Sequence, residues 1–220
     1  MLTFYYHPLS PISRRVWIAL LEKEIPFNSI IVNLNGEQLQ PKFLALNPFH
    51  HVPVLVDGGL RVVESLAILD YLEVRYPAPA LLPLTPAAIA QTRMVQMVVT
   101  NELTPKLPAL VMAEASPEPD EATLQQVATV LDFLTEQLGD AAYFGGDNLS
   151  LADITAGTAF PLLHRLGIGF EGHPAIAAWY ERIAARPSWQ QTELDDAAFN
   201  TWKRWVSLMV KRRQRQLART

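Results

Sequence analysis

The segment 77–86 reads "PAPALLPLTP", four prolines in ten residues. Each proline removes a backbone donor and pushes the residue before it away from the helical region. Neither a helix nor an interior strand can run through such a stretch. It is therefore a linker, and the chain must fold on either side of it, as residues 1–76 and 87–220. Half of the residues are hydrophobic, which is enough apolar mass for a core in each part.

The two parts differ in their apolar pattern. Before the linker the character alternates. "LTFYY" and "FNSIIVNL" are short, β-branched and aromatic, and read as strands. Between them "PISRRVWIALLEKE" puts Val16, Ala19 and Leu20 on one helical face. "PKFLALN" is a short helix. "VPVLVD" and "LRVVE" meet at Asp57-Gly58-Gly59, a hairpin signal. "SLAILDYLEVRY" closes the part as a helix. The order βαβ-α-ββα predicts an α+β unit with a mixed four-stranded sheet.

After the linker every periodic segment is helical. A long helix starts at "PAAIAQTRMVQMVVTNEL", with a bend or break expected at Pro105 and Pro108. Leu124, Val127, Ala128, Leu131, Leu134 and Leu138 share one stripe. In "NLSLADITAG", Ser150 precedes Asp153 by three residues, the spacing of a reciprocal N-terminal cap, with Leu149 and Ile154 as its apolar staple. Ile176, Trp179, Tyr180 and Ile183 form a further face, and Trp202, Trp205, Val206 and Met209 another. The second part is predicted to be all-α.

The chain has no cysteine, which excludes disulfides, thiolate-bound zinc and any protein dithiol mechanism. "MLTFYY" lacks the basic start and long apolar run of a secretion signal, and no stretch is long and apolar enough for a membrane span. The expected location is cytoplasmic. From Thr201 onward there are seven Lys or Arg and no acid, so the first 200 residues carry a balance of −11 within a net charge of −4. A basic helix end on an acidic body is expected to pair with its own domain or face solvent. No nucleic-acid or membrane role is read from it. Residues Phe199 to Met209 are expected to dock on the helical part, and Arg212 to Thr220 to be exposed and frayed.

The chemistry concentrates in "YYHPLSPISRRVW". A short strand runs into a helix through Ser10-Pro11-Ile12-Ser13, which has the shape of a CPxC redox corner with hydroxyls in place of thiols. On the residues alone, Ser10 is an N-cap and Pro11 the favoured first helical residue. "SPISRRVWIALLEK", "NPFHHVPVL", "ESLAILDYL" and "LSLADI" occur in that order. With these motifs the chain resembles a cytosolic glutathione transferase over nearly its whole length, and is similar to the serine-type phi and theta classes. The resemblance implies a thioredoxin-like first domain, an all-helical second domain and a homodimer. It also implies glutathione as co-substrate, conjugated to small hydrophobic electrophiles, with no metal.

Glutathione brings its own thiol, so the protein needs only to favour the thiolate. Lowering a thiol pKa of about 8.5 by roughly two units takes about 2.7 kcal/mol. A hydroxyl donating to sulfur supplies about 1.5–3 kcal/mol, and a helix N-terminus about 0.3–2 kcal/mol. The resemblance implies that Ser10 is the catalytic donor. Ser13, one turn on, and Tyr5 and Tyr6, whose phenols could donate, are the alternatives, although strand packing accounts for both tyrosines. Arg14 and Arg15 read as structural or surface charges, with Arg14 able to support the site electrostatically.

For glutathione binding the resemblance implies Val52 with a cis Pro53, and Glu64 and Ser65 at a helix start. His51 stands where relatives carry Gln or Lys, and Gln38 stands at a glycine-carboxylate contact. The adjacent His50 and His51 lack a third ligand and do not make a metal site. Leu9, Pro11, Met97, Asn101, Thr104, Trp202 and Trp205 are candidates for the electrophile pocket. Reduction of organic hydroperoxides with glutathione, or a non-enzymatic scaffold binding a protein or RNA partner, are the alternative functions.

Overall fold

The computed structural model describes residues 1–114 and 120–217. The first part is a four-stranded sheet of order β2-β1-β3-β4, with β1 Thr3–Tyr6, β2 Asn28–Ile31, β3 Val54–Asp57 and β4 Leu60–Val63. β1 runs parallel to β2 and antiparallel to β3, and β3–β4 is a hairpin. Its turn uses Gly58 and Gly59 at φ of +54° and +100°, a backbone region that side chains disfavour. α1 (Pro11–Glu22) and α3 (Ser65–Arg75) pack on one face, and the short α2 (Pro41–Leu44) lies on the other.

Strand alternation explains the two layers. Phe4 and Tyr6 point from β1 into the core shared with α1 and α3, where Tyr6 stacks on Phe4 and meets Trp17 edge-on. Tyr5 points the other way, toward Val32, Phe43, Val52 and Val54.

The linker separates the end of α3 at Arg75 from α4 (Pro86–Val98). The long helix does not wait for its prolines to break. It widens into a π turn at Val99–Leu103, tightens to a 3-10 turn at Thr104–Lys106, and resumes as α5 (Leu107–Ala113). The ring of Pro105 cannot accept a regular α turn before it, and the Thr104 hydroxyl takes the carbonyl of Val99 at 2.8 Å. There follow α6 (Glu121–Leu138), α7 (Leu151–Gly157), α8 (Phe160–Arg165), α9 (Pro174–Ala184), α10 (Pro187–Thr192) and α11 (Asp196–Leu217).

Two departures from the sequence pattern lie on α6 and α11. On α6, Leu124 is exposed, while Val130 and Thr123, which bonds to the cap Asp120, are buried. On α11 the helix does not fray at Arg212. It continues, with every residue from Lys211 to Leu217 exposed. Residues 218–220, the end of the expected frayed segment, lie outside the described residues.

The second part is organised around Asp153, which is fully buried. Its carboxylate accepts from the amides of Ser150 and Phe144, the hydroxyl of Ser150 and Nε1 of Trp179. The reciprocal cap read from Ser150 and Asp153 is present, and Leu149 and Ile154 are buried beside it. At the other end of α7, Gly157 allows close approach. A Cβ there would fall 2.6 Å from Ile183 and 2.8 Å from Trp189. Trp189 thus closes onto α7 and donates to the Gly157 carbonyl.

Candidate functional site

The strand registers gather three segments at one end of the sheet. Tyr5 pairs with Val54, and Val54 with Val63. Continuing past each pair, the chain leads to His7–Ser10 from β1, to Val52-Pro53 before β3 and to Glu64-Ser65 after β4. The Val52–Pro53 peptide is cis. The N-termini of α1 and α3 lie at this end, so their unpaired amides present partial positive charge there.

Ser10 is the N-cap of α1, with Pro11 following. It is buried, its amide donates to the His7 carbonyl, and its Oγ accepts from the Ser13 amide at 3.2 Å. A hydroxyl that accepts in this way still has its proton to donate. Ser13 lies fully buried one turn inside, and its Oγ has no hydrogen-bond partner. His7 is half-buried, and burial holds its pKa below the ordinary value. Its Nδ1 accepts from the Leu9 amide, so the ring is the neutral Nε2–H tautomer.

A small cleft opens at this corner, lined by Pro8, Leu9, Ser10, Pro11 and Arg14 of the first domain and by Thr158, Leu162 and Leu194 of the second. Its volume is about 10 Å³, close to that of one water. Leu9 and Pro11 line it. Met97, Asn101, Thr104, Trp202 and Trp205 do not. Met97 and Asn101 are exposed, on α4 and its π turn, Thr104 is tied to Arg15, and Trp202 is buried against Phe199. The tyrosines do not reach the cleft either. Tyr6 is core, and Tyr5 borders a separate cavity of about 100 Å³ with Ile30, Glu37, Lys42 and Phe43.

Glu64 caps α3 with φ of +69° and makes no side-chain capping bond, and Ser65 is the buried first residue of the helix. Gln38 is turned into its own loop. Its oxygen accepts from the Gly36 amide and its nitrogen donates to the Leu34 carbonyl. The His51 ring is exposed, edge-on to His50 at 5.1 Å, and its backbone carbonyl is held by Asn47 Nδ2. Asn47, absent from the sequence reading, is buried and also caps the Phe49 amide. It fixes the loop that delivers Val52, and its signal was the Asn-Pro turn pair. No cluster of three or more metal-ligating side chains exists among the described residues.

The arginines of α1 are not surface charges. Arg14 is 6% exposed and Arg15 1%. Arg14 donates from Nε to Thr192 Oγ1 and from Nη2 to the Trp189 carbonyl, both at 3.0 Å. Arg15 donates to the hydroxyls of Thr100 and Thr104, while its Nε is buried without a partner. Burial pushes both guanidinium pKa values down to about 10, and each remains a cation at neutral pH. Glu193 and Tyr180 act on Arg14 in the opposite direction from beyond ion-pair distance.

Comparison with known proteins places this geometry. A family model for the glutathione S-transferase N-terminal domain matches residues 4–80, and one for the C-terminal domain matches residues 98–187. Glutathione S-transferase 3 of Zea mays is 36% identical over 207 residues, covering 87% of this chain and 92% of that protein. A maleylacetoacetate isomerase of Pseudomonas aeruginosa is 36% identical over 197 residues, covering 85% and 92%. Among solved structures, a glutathione S-transferase from Rhodospirillum rubrum superposes with a TM-score of 0.72 at 30% identity, over 89% of this chain and 94% of that one. With both domain models matched in order across a thioredoxin-like sheet domain and a helical domain, the chain belongs to the glutathione S-transferase family.

Proposed function

We propose that this protein activates the thiol of glutathione with the Ser10 hydroxyl and conjugates it to small, largely apolar electrophiles. The observation that carries the reading is the state of Ser10. Its oxygen is held by the Ser13 amide at a helix N-terminus, and its proton is left to donate where Ser10 lines a mainly apolar cleft. The amide and carbonyl of Val52, turned by the cis Pro53, pair with the cysteinyl unit. Glu64 and Ser65, at the start of α3, take the ammonium and carboxylate of the γ-glutamyl end. Gln38 serves the glycine carboxylate only if it leaves its loop contacts, and His51 reaches it from the surface.

The test is Ser10→Ala, assayed with glutathione and 1-chloro-2,4-dinitrobenzene. Loss of one hydrogen bond to a charged sulfur lowers kcat/KM by about 10- to 100-fold and moves the apparent thiol pKa upward. Circular dichroism should be unchanged. A Ser10→Ala protein of unaltered rate overturns the assignment. Calorimetry with S-methylglutathione separates the roles. Ser65→Ala weakens binding by about 1–3 kcal/mol, whereas Ser10→Ala leaves it nearly intact.

The working unit on this reading is a homodimer. Val74 of α3 is 84% exposed, and Met94 and Met97 of α4 are also exposed, apolar surface that symmetric pairing would cover. Light scattering at micromolar concentration should give twice the chain mass, and a stable monomer refutes the pairing.

A further inference from the structure

We infer that Arg14 makes this site selective for electrophiles that carry a carboxylate, and that the carboxylate docks on Arg14 Nη1 in the cleft beside Ser10. The inference rests on the transferase reading and names its substrate class. Arg14 is the one cation among the residues lining the cleft. Two of its three nitrogens are committed to the second domain, through Thr192 and the Trp189 carbonyl. Those bonds clamp the guanidinium plane. Nη1 makes no hydrogen bond among the described residues, and it is not one of the sealed, unpartnered atoms. It is therefore a fixed donor with an open side. Glu193, the acid whose charge acts on it, is exposed and forms no ion pair with it.

Size and lining sort the candidates. A cavity of about 10 Å³ admits a water or a carboxylate oxygen and excludes an aromatic ring. The rest of the lining is Pro8, Leu9, Pro11, Leu162 and Leu194, with the hydroxyls of Ser10 and Thr158. An acid whose carboxylate enters the cleft would lay an apolar body over Leu9, Pro11 and Leu194, placing its reactive carbon near the sulfur held by Ser10. For an enone acid the step balances. The thiolate forms the S–C bond at the β-carbon, the C=C pair moves to the ketone oxygen as an enolate, and solvent returns a proton to the α-carbon. Nothing is oxidised or reduced.

The test is a matched pair, ethacrynic acid and its methyl ester. The chain has no cysteine, so neither compound alkylates a protein thiol. Wild type should favour the acid by about tenfold or more in kcat/KM, the effect of one charge-assisted hydrogen bond. Arg14→Gln should bring the ratio to about one with the glutathione KM unchanged, and Arg14→Lys should keep part of it. Leu194→Glu, which leaves every Arg14 hydrogen bond in place, should also abolish the preference and covers the case in which Arg14→Gln fails to fold. A wild-type ratio near one, or a ratio unchanged in the variants, overturns the inference. If neither compound is turned over, the transferase reading fails. Calorimetry of acid against ester on the same proteins then decides this one. Tighter binding of the acid that Arg14→Gln or Leu194→Glu removes supports it, and equal binding overturns it.

Discussion

The two ends of α1 face the second domain and the linker in opposite electrostatic styles. At the C-terminal end both Glu22 and Lys23 have charged partners. Glu22 receives Arg186 through Nε and Nη2, at 2.9 and 2.6 Å, and also accepts from Ser188. Lys23, whose side chain is wholly buried, pairs with Glu73 at 2.8 Å and donates to the carbonyls of Tyr76 and Pro79. At the N-terminal end two guanidinium groups are buried on neutral acceptors alone, one nitrogen of Arg15 has no partner, and neither does the Ser13 hydroxyl. Both ends hold the domains together. Only one is fully compensated, and that is the end away from the cleft. Compensation is what a purely structural contact requires, so the uncompensated end is where a ligand's charge is expected.

The comparison breaks first at Lys23. Glu73→Gln removes the only carboxylate paired with Lys23 among the described residues and leaves an ammonium sealed from water. Breaking a buried pair on one side costs about 3–5 kcal/mol. Urea unfolding should show that loss as a lowered midpoint at unchanged slope. A loss under about 1 kcal/mol would mean that the two carbonyls suffice to hold the charge. The two ends would then not differ in the way described.

At the other end the same kind of substitution should cost far less. Arg15→Met removes two bonds to threonine hydroxyls, each worth about 1.5–3 kcal/mol because the donor is charged. It also removes a desolvation penalty of several kcal/mol that no anion offsets. These opposing effects nearly cancel, and Met can fill the space of the arginine stem. The expected change in unfolding free energy is within about 1 kcal/mol. A loss as large as that of Glu73→Gln would show Arg15 to be as well satisfied as Lys23.

Little of this contrast was legible in the sequence, although the architecture was. Periodicity marked the strands, α1, α3 and α9, and the Ser150–Asp153 spacing announced its cap, because those features depend on neighbours in the chain. Lys23 with Glu73, Arg14 with Thr192 and Glu22 with Arg186 join residues 50 to 178 positions apart, and nothing local distinguishes them from surface charges. The second-domain side of the cleft was missed for the same reason. Thr158, Leu162 and Leu194 carry no local signal of their own and join the cleft only because α7 and α10 pack on α1. Met97 and Asn101, candidates for the electrophile pocket, are exposed and do not line this cleft.

Ser13 gives the smallest effect and the sharpest reading of the N-terminal end. Its Oγ is fully buried and unpaired, whereas its amide does the work of holding Ser10. Ser13→Ala keeps that amide and deletes only the orphan hydroxyl. An unsatisfied buried polar group costs about 1–3 kcal/mol, and part of this is returned as a small void when the oxygen is removed. The expected result is therefore a gain in stability of up to about 1 kcal/mol. If Ser10 is the thiolate donor, kcat/KM with 1-chloro-2,4-dinitrobenzene should be unchanged, because the capping bond that orients its oxygen is made by the backbone. A fall in rate comparable to that of Ser10→Ala would transfer the donor role to Ser13, and its missing partner would then be the sulfur of glutathione.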